Sequence, residues 1–288
     1  GPIVADIHTN FVEHWNGTLA LERKALRRWI GRLFAWLSGV GPAAPIRRMG
    51  AALPPKGGML AQFVRTDPRL QEREQAVVDV TLRAIMNARK LIYIENQFFR
   101  SPRIAETIVT ALQRRPRLQL IVVTNEVLPP LLWLNPYAYW THLVQEMIRA
   151  ERPDFTLYQL FACGLVEGAV AYRYVFLHAK VMIIDDEWAT VGSANINDRS
   201  IYSEYEANVA VEDAGFAASL RRRLMGEHLG LPPDDPSLAD PLGSAELWRE
   251  TARRNARARA ERQLAVGLAH PFHQAGAWKW IRGRPEWF

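Results

Sequence analysis

The stretch His178-Ala-Lys180-Val-Met-Ile-Ile184-Asp185-Asp186-Glu187-Trp188-Ala-Thr-Val191-Gly192-Ser193-Ala-Asn195 decides how this chain reads. Two apolar runs, Lys180–Ile184 and Trp188–Val191, flank the acidic triplet Asp185-Asp186-Glu187. Short apolar runs bounded by turn residues read as strands, so this segment predicts a hairpin with a three-residue turn. With Asp186 at its centre, Lys180 lies opposite Gly192 and His178 opposite Ala194. Side chains two apart on a strand share a face. His178 and Lys180 then point the same way, and Ser193 and Asn195 arrive at the same end. An imidazole, a fixed positive charge, a hydroxyl and an amide converge there. An anionic tetrahedral group suits them: the lysine and the amide bind its oxygens, and the imidazole attacks or protonates. Asp185 lies at the far end of the hairpin. A one-residue slip would spoil the arrangement, because it turns every side chain to the other face.

Upstream, the texture alternates between helix and strand. Thr66-Asp67-Pro68 reads as a helix start with Pro68 at the first helical position, and Val77, Val80, Ala84, Ile85 and Ala88 carry the apolar face. Leu91–Glu95 and Leu118–Thr124 read as buried strands, with a helix at Ile104–Arg114 between them. A helix near 138–150 and a strand near 155–161 follow. This rhythm predicts an α/β fold whose mixed sheet is mostly parallel and flanked by helices. Downstream come a strand, Glu206–Val211, and helices at about 214–226 and 244–264, with a loop at 229–243 between them. Near the N-terminus, residues 3–15 have helical spacing that Asn16-Gly17 interrupts. Residues 19–38 read as a basic amphipathic helix, suited to packing on the sheet or to an anionic membrane surface. A Gly/Pro-rich passage at 39–58 reads as a linker.

Composition narrows the function classes. The chain has 288 residues, 49% hydrophobic and 23% charged, enough for a sizeable core. No apolar run reaches the ~18–20 residues that a spanning helix needs. A single cysteine, Cys163, excludes an internal disulfide and a cysteine-built zinc site. The net charge of +6 favours anionic partners: phosphate esters, acidic lipids or nucleic acid. Gly1-Pro2-Ile3-Val4 lacks the basic start and apolar run of a signal peptide and is expected to be a cut or processed end. The acidic triplet and His270-Pro-Phe-His273 are weak metal candidates; the triplet reads as a solvated turn. The tail tryptophans Trp278, Trp280 and Trp287 read as packing.

H-x-K alone means nothing. A chance match at six positions (His178, Lys180, Asp185, Gly192, Ser193, Asn195) has odds on the order of one in a hundred thousand or less. The run HAKVMIIDDEWATVGSANINDRS resembles the signature of the phospholipase D superfamily. Tyr93-Ile94-Glu95-Asn96-Gln97-Phe98-Phe99 resembles the strand-end segment upstream of the C-terminal motif in phospholipases D. Together the two look closer to phospholipase D proper than to cardiolipin synthases or short nucleases. The resemblance implies that His178 is one of two catalytic histidines, expected here to be the general acid/base. It implies that Lys180 and Asn195 bind phosphate oxygens, Ser193 supports the site, Glu206 orients the histidine from behind, and Asp185 is mainly structural. Asn96 and Gln97 would line the mouth and touch substrate. It implies a phosphohistidine intermediate and needs no metal or cofactor. The family uses two motifs, and none of the other six histidines is followed two residues on by lysine. Residues 1–16 resemble the helix after the first motif. Residues 1–62 are therefore expected to be trailing helices of an N-terminal lobe plus linker, and 63–288 the C-terminal catalytic lobe. The expected partners are a glycerophospholipid on an anionic membrane surface and an N-terminal half bearing the second motif; nucleic acid is the lesser candidate. The alternatives are a homodimeric nuclease and a cardiolipin-synthase-like transferase. The expected location is soluble or membrane-peripheral, in a bacterial cytoplasm.

Overall fold

The structure, a computed structural model, describes residues 2–22, 44–48, 54–55, 57–69, 74–126 and 136–273. The chain divides into two compact units, Gly1–Phe63 and Val64–Phe288. In the first, α1 (Ile3–Glu22) runs straight through Asn16-Gly17, where the sequence predicted a break. The Asn16 side chain does not turn back on its own backbone. Its Oδ1 accepts from Ile46 N at 3.0 Å and its Nδ2 donates to Ile46 O at 2.9 Å, so helix-breaking chemistry is spent on a neighbouring segment. Most of the basic helix predicted over 19–38, part of the linker, and the tail tryptophans lie outside the described residues.

Ten strands form one sheet: β1 (Leu60–Asp67), β2 (Glu74–Gln75), β3 (Leu91–Asn96), β4 (Gln119–Val123), β5 (Tyr158–Val166), β6 (Ala169–Val175), β7 (Lys180–Ile184), β8 (Trp188–Gly192), β9 (Glu206–Glu212) and β10 (Ala269–Pro271). Their order is β10-β5-β4-β3-β7-β8-β9-β1-β2, with β6 paired to β5. The helices of the second unit are α2 (Ala76–Asn87), α3 (Pro102–Arg114), α4 (Pro136–Glu151), α5 (Asp198–Tyr202), α6 (Ala214–Leu229) and α7 (Pro241–Ala260). The β3 strand shows why both faces need cover. Ile92 and Ile94 pack with Ile85, Ile104, Ile108 and Val144 from α2, α3 and α4. Leu91 and Tyr93 pack on the other side with Met225, Leu229 and Trp248 from α6 and α7. A strand buried on both faces reads as an unbroken apolar run.

The α/β architecture is as expected, but the sheet is mainly antiparallel. The β3–β4 and β4–β5 pairs are parallel, whereas β1–β2, β10–β5, β3–β7, β5–β6, β7–β8 and β8–β9 are antiparallel. Parallel pairing needs a crossover, which α3 and α4 supply. From β7 to β9 tight turns and short excursions bring the chain straight back. Thr66-Asp67-Pro68 ends β1 and does not open a helix. The Asp67 carboxylate accepts from Arg69 N, Nε and Nη2 at 3.0–3.2 Å, which is a local turn. Helix α2 begins instead at Ala76.

The predicted hairpin is present in the predicted register: Val181 faces Val191, Met182 Thr190, Ile183 Ala189 and Ile184 Trp188. Asp185 (φ 58°) and Asp186 (φ 61°) adopt the left-handed backbone that closes so tight a turn. The turn is not simply solvated. Asp185 is buried, and its carboxylate accepts from the backbone N–H groups of Arg89, Lys90 and Leu91 at 2.7, 2.7 and 2.9 Å. Asp186 is chelated by Arg221. Asp185 thus locks the start of β3 to the hairpin turn, at the end of the sheet away from His178.

Candidate active site

The other end of the hairpin gathers the remaining residues. Asn96 faces Lys180 across β3 and β7, and Gln97 N donates to Ala179 O at 3.1 Å. His178 is not itself in a strand; it lies two residues ahead of β7 and is exposed. Lys180 is buried, and its Nζ donates to Gln97 Oε1 and to the carbonyl of His178, both at 3.0 Å. An ammonium has three donors, and among the described residues two are used, which leaves one for an incoming oxygen. Burial pulls Lys180 below its ordinary pKa, while the Glu206 carboxylate pulls it back up.

Asn96 is buried and acts as a clamp rather than a surface contact. Its Nδ2 donates to Ala194 O at 3.2 Å; its Oδ1 accepts from Ile196 N and Phe98 N, each at 3.1 Å. The loop carrying Ser193 and Asn195 is thereby fixed to the end of β3. From the other side, Ala194 N donates to Asn208 Oδ1 at 3.2 Å and Ser193 N to Ala207 O at 2.9 Å. Asn195 Oδ1 is buried and has no hydrogen-bond partner among the described residues. Such an atom marks a place where a ligand or a rotated amide completes the bonding.

Glu206 was expected behind the imidazole of His178. Its carboxylate instead accepts from the hydroxyl of Ser193, which itself accepts from Ala207 N at 3.0 Å. Burial holds the Glu206 carboxyl above its ordinary range, against the lowering effect of the Ser193 hydroxyl. A carboxyl whose folded pKa is raised costs stability only when charged. The cost is absent in acid, where both states are protonated, and grows as pH rises through the carboxylate range. Glu206→Gln is therefore expected to raise Tm near neutral pH and leave it unchanged in acid. Paired thermal melts check this, and a lower Tm at neutral pH would refute it.

Gly192 explains itself here. A Cβ at this position would stand 2.1 Å from Asn208 Oδ1 and 2.4 Å from Ala207 O, the two acceptors that hold the loop. Gly192→Ala is expected to lose about 2 kcal/mol of stability through overpacking and to cut turnover at least tenfold by moving Ser193 and Asn195. Full turnover in a well-folded variant would show that the loop position does not matter.

Other residues of this edge escaped the sequence reading. Asn125 bridges three elements: its Nδ2 donates to Leu177 O at 2.6 Å and Gln97 O at 3.2 Å, and its Oδ1 accepts from Leu177 N at 2.8 Å and the Tyr174 hydroxyl at 3.0 Å. It steadies the segment leading into His178. A polar residue just past a buried apolar strand was the available signal. Beside Asn195 opens a cavity of about 670 Å³, whose lining mixes the aromatic rings of Phe98, Trp140 and Phe176 with the charged groups of Arg100, Glu126 and Asp198; the Arg100 guanidinium lies 3.9 Å over the Phe98 ring. Among the described residues no group of three or more histidines, cysteines or carboxylates is placed to hold a metal.

The chain is similar to known proteins over much of its length. The family described as "Cardiolipin synthase, PLD-like domain" matches residues 81–226. Phospholipase D1 of Mus musculus is 26% identical, covering 89% of this chain and 29% of that protein. Phospholipase D zeta 1 of Arabidopsis thaliana is 30% identical, covering 63% of this chain and 22% of its own length. The chain thus spans less than a third of either relative. Among solved structures, Nuc, a phospholipase D family member from Salmonella typhimurium, aligns at 18% identity with a TM-score of 0.41, over 57% of this chain and 90% of that one.

Proposed function

The chain belongs to the phospholipase D superfamily, and on that premise we propose that it is the C-terminal catalytic half of a phospholipase D-type phosphodiesterase. The reaction is hydrolysis of a glycerophospholipid, or transfer of its phosphatidyl group to an alcohol, with the second H-x-K motif supplied by another segment or chain. The observation that carries this reading is the anchored ammonium of Lys180. It is bonded to the His178 carbonyl and shares the lining of a small cavity with Asn195, whose buried Oδ1 has no partner among the described residues.

The second-motif histidine attacks phosphorus, forming a P–N bond as the P–O bond to the leaving alcohol breaks. His178 gives its proton to that alcohol and becomes a neutral base. It then takes a proton from water or an acceptor alcohol, whose oxygen displaces the histidine from phosphorus. Lys180 and Asn195 hold the non-bridging oxygens while charge builds on them. The lipid reading is supported by the phospholipase D names of the curated relatives and by the aromatic side chains of Phe98, Trp140 and Phe176 in the lining of the cavity beside Asn195.

The test is product analysis with a primary alcohol present. The expected result is a phosphatidyl alcohol alongside phosphatidic acid, its share rising with alcohol concentration. Phosphatidic acid alone at every concentration rules out a transferable intermediate. Cleavage of DNA but not of phospholipid would replace the lipid reading with the nuclease one.

A further inference from the structure

The β5–β6 hairpin has no role in the chemistry described above, yet it is the longest two-stranded feature of the sheet. Strand β5 leaves β4 at the Val123–Tyr158 pair and continues to Val166, and β6 returns to Val175 just ahead of His178. Since β5 runs parallel to β3 and β4, this extension leaves the same edge that carries Asn96, Gln97 and Lys180. Its eight residues beyond Tyr158 reach roughly 25 Å at the rise of an extended strand.

The end of the hairpin is apolar where it should be polar. Leu165 is 64% and Val166 60% exposed, beside a tight turn at Glu167 (φ 51°) and Gly168 (φ 80°). A second loop rises against it: Ala265 N donates to Cys163 Sγ at 3.1 Å, and the Tyr172 hydroxyl donates to Gln263 O at 2.6 Å. This loop exposes Leu264 (53%) and Val266 (49%). The hairpin end and the loop braced against its flank thus each expose two large aliphatic side chains.

Around the base the charge is basic. The Arg259 guanidinium lies 3.7 Å over the Phe161 ring and 5.8 Å from that of Tyr172, which fixes the end of α7 against the hairpin. Arg253, Arg254, Arg257, Arg259 and Arg262 in this stretch, and Arg173 on β6, are all exposed, against Glu167 and Glu261 and the half-buried Glu126 near Arg259. An apolar tip above a cationic collar matches a bilayer, whose anionic headgroups overlie its hydrocarbon. A protein partner would need a groove shaped for a protruding tip; a fluid membrane does not.

We propose that the β5–β6 hairpin tip and the 263–266 loop form a docking surface for an anionic phospholipid bilayer. Leu165, Val166, Leu264 and Val266 enter the interface, and the arginine collar binds the headgroups. This rests on the lipid reading of the active site, whose edge the hairpin leaves. The test is flotation of the chain with vesicles of phosphatidylcholine alone and of phosphatidylcholine with phosphatidylglycerol in equal parts. Binding is expected to the mixed vesicles and to weaken with salt. Leu165→Ser/Val166→Ser is expected to bind at least about tenfold more weakly, with its circular dichroism unchanged. Leu165→Trp is expected to bind and to be quenched by brominated phosphatidylglycerol. Equal binding by the double serine variant, or an unquenched Leu165→Trp, overturns the proposal. So does a vesicle-free dimer that the serine substitutions dissociate, because the tip would then be a self-association surface. No turnover is read, so His178→Asn should float like the unmodified chain, and a failed catalytic reading would show separately.

Discussion

His178→Asn is expected to abolish phosphodiester turnover, by about 10³-fold or more, without disturbing the fold. An amide of similar size can neither donate the proton that frees the leaving alcohol nor accept one from the incoming nucleophile, and this proton transfer alone contributes ~10²–10⁴-fold. In the proposed mechanism activation of the second step is lost with it, since there the same ring serves in both. The fold has little at stake. His178 is exposed, outside any strand, and among the described residues no hydrogen bond reaches its ring; such substitutions stay within about 0.5 kcal/mol. Lys180 differs: its Nζ bonds to Gln97 and to the His178 carbonyl, so its removal is expected to disturb the local backbone as well as the proposed chemistry. The measurement is release of alcohol from a phosphodiester by the form of the protein that turns one over, with a thermal melt as control. A His178→Asn protein with unchanged Tm and unchanged rate would remove His178 from the mechanism.

What could be read in the sequence followed from periodicity within single elements. The hairpin register was legible because two apolar runs and an acidic triplet leave one way to place the turn. Leu91–Glu95 and Leu118–Thr124 were legible because strands buried on both faces are unbroken apolar runs. What escaped depends on partners distant in the chain. Asp186 looked like a solvated turn residue because Arg221 is 35 positions away. The turn at Asp67 looked like a helix cap because Asp-Pro suits both, and only the pairing of β1 decides. Strand β6 was hidden because its residues, Ala169-Val-Ala-Tyr-Arg-Tyr-Val175, are half exposed and alternate weakly. The same holds within the site. H-x-K and Gly192-Ser193-Ala194-Asn195 announce themselves locally. The roles of Asn96 and Asn125 arise from contacts to segments 50 to 100 residues away.

Arg221→Met is expected to be the most destabilising single change in the second unit. The Arg221 side chain is fully buried. Its Nε and Nη2 donate to the two carboxylate oxygens of Asp186 at 2.6 and 2.8 Å. The remaining donors reach Ser244 Oγ at 2.8 Å and Leu238 O at 2.9 Å. One guanidinium thus ties the hairpin turn to α6, to the start of α7 and to the segment between them. Removing it strands the Asp186 carboxylate and a buried carbonyl. Breaking such a pair from one side costs about 3–5 kcal/mol, which for a unit of this size lowers Tm by roughly 10 °C. Arg221→Lys should recover only part of this, since an ammonium cannot reproduce the planar two-pronged contact. Adding Asp186→Leu to Arg221→Met should recover much of the loss, because the lone buried charge is the main cost. The turn lies at the end of the hairpin opposite His178, so the folded fraction should keep its turnover number well below Tm. Urea titration of the three variants separates these terms. A loss under about 1 kcal/mol in Arg221→Met would mean that hydrophobic packing, and not this clamp, holds the hairpin in place.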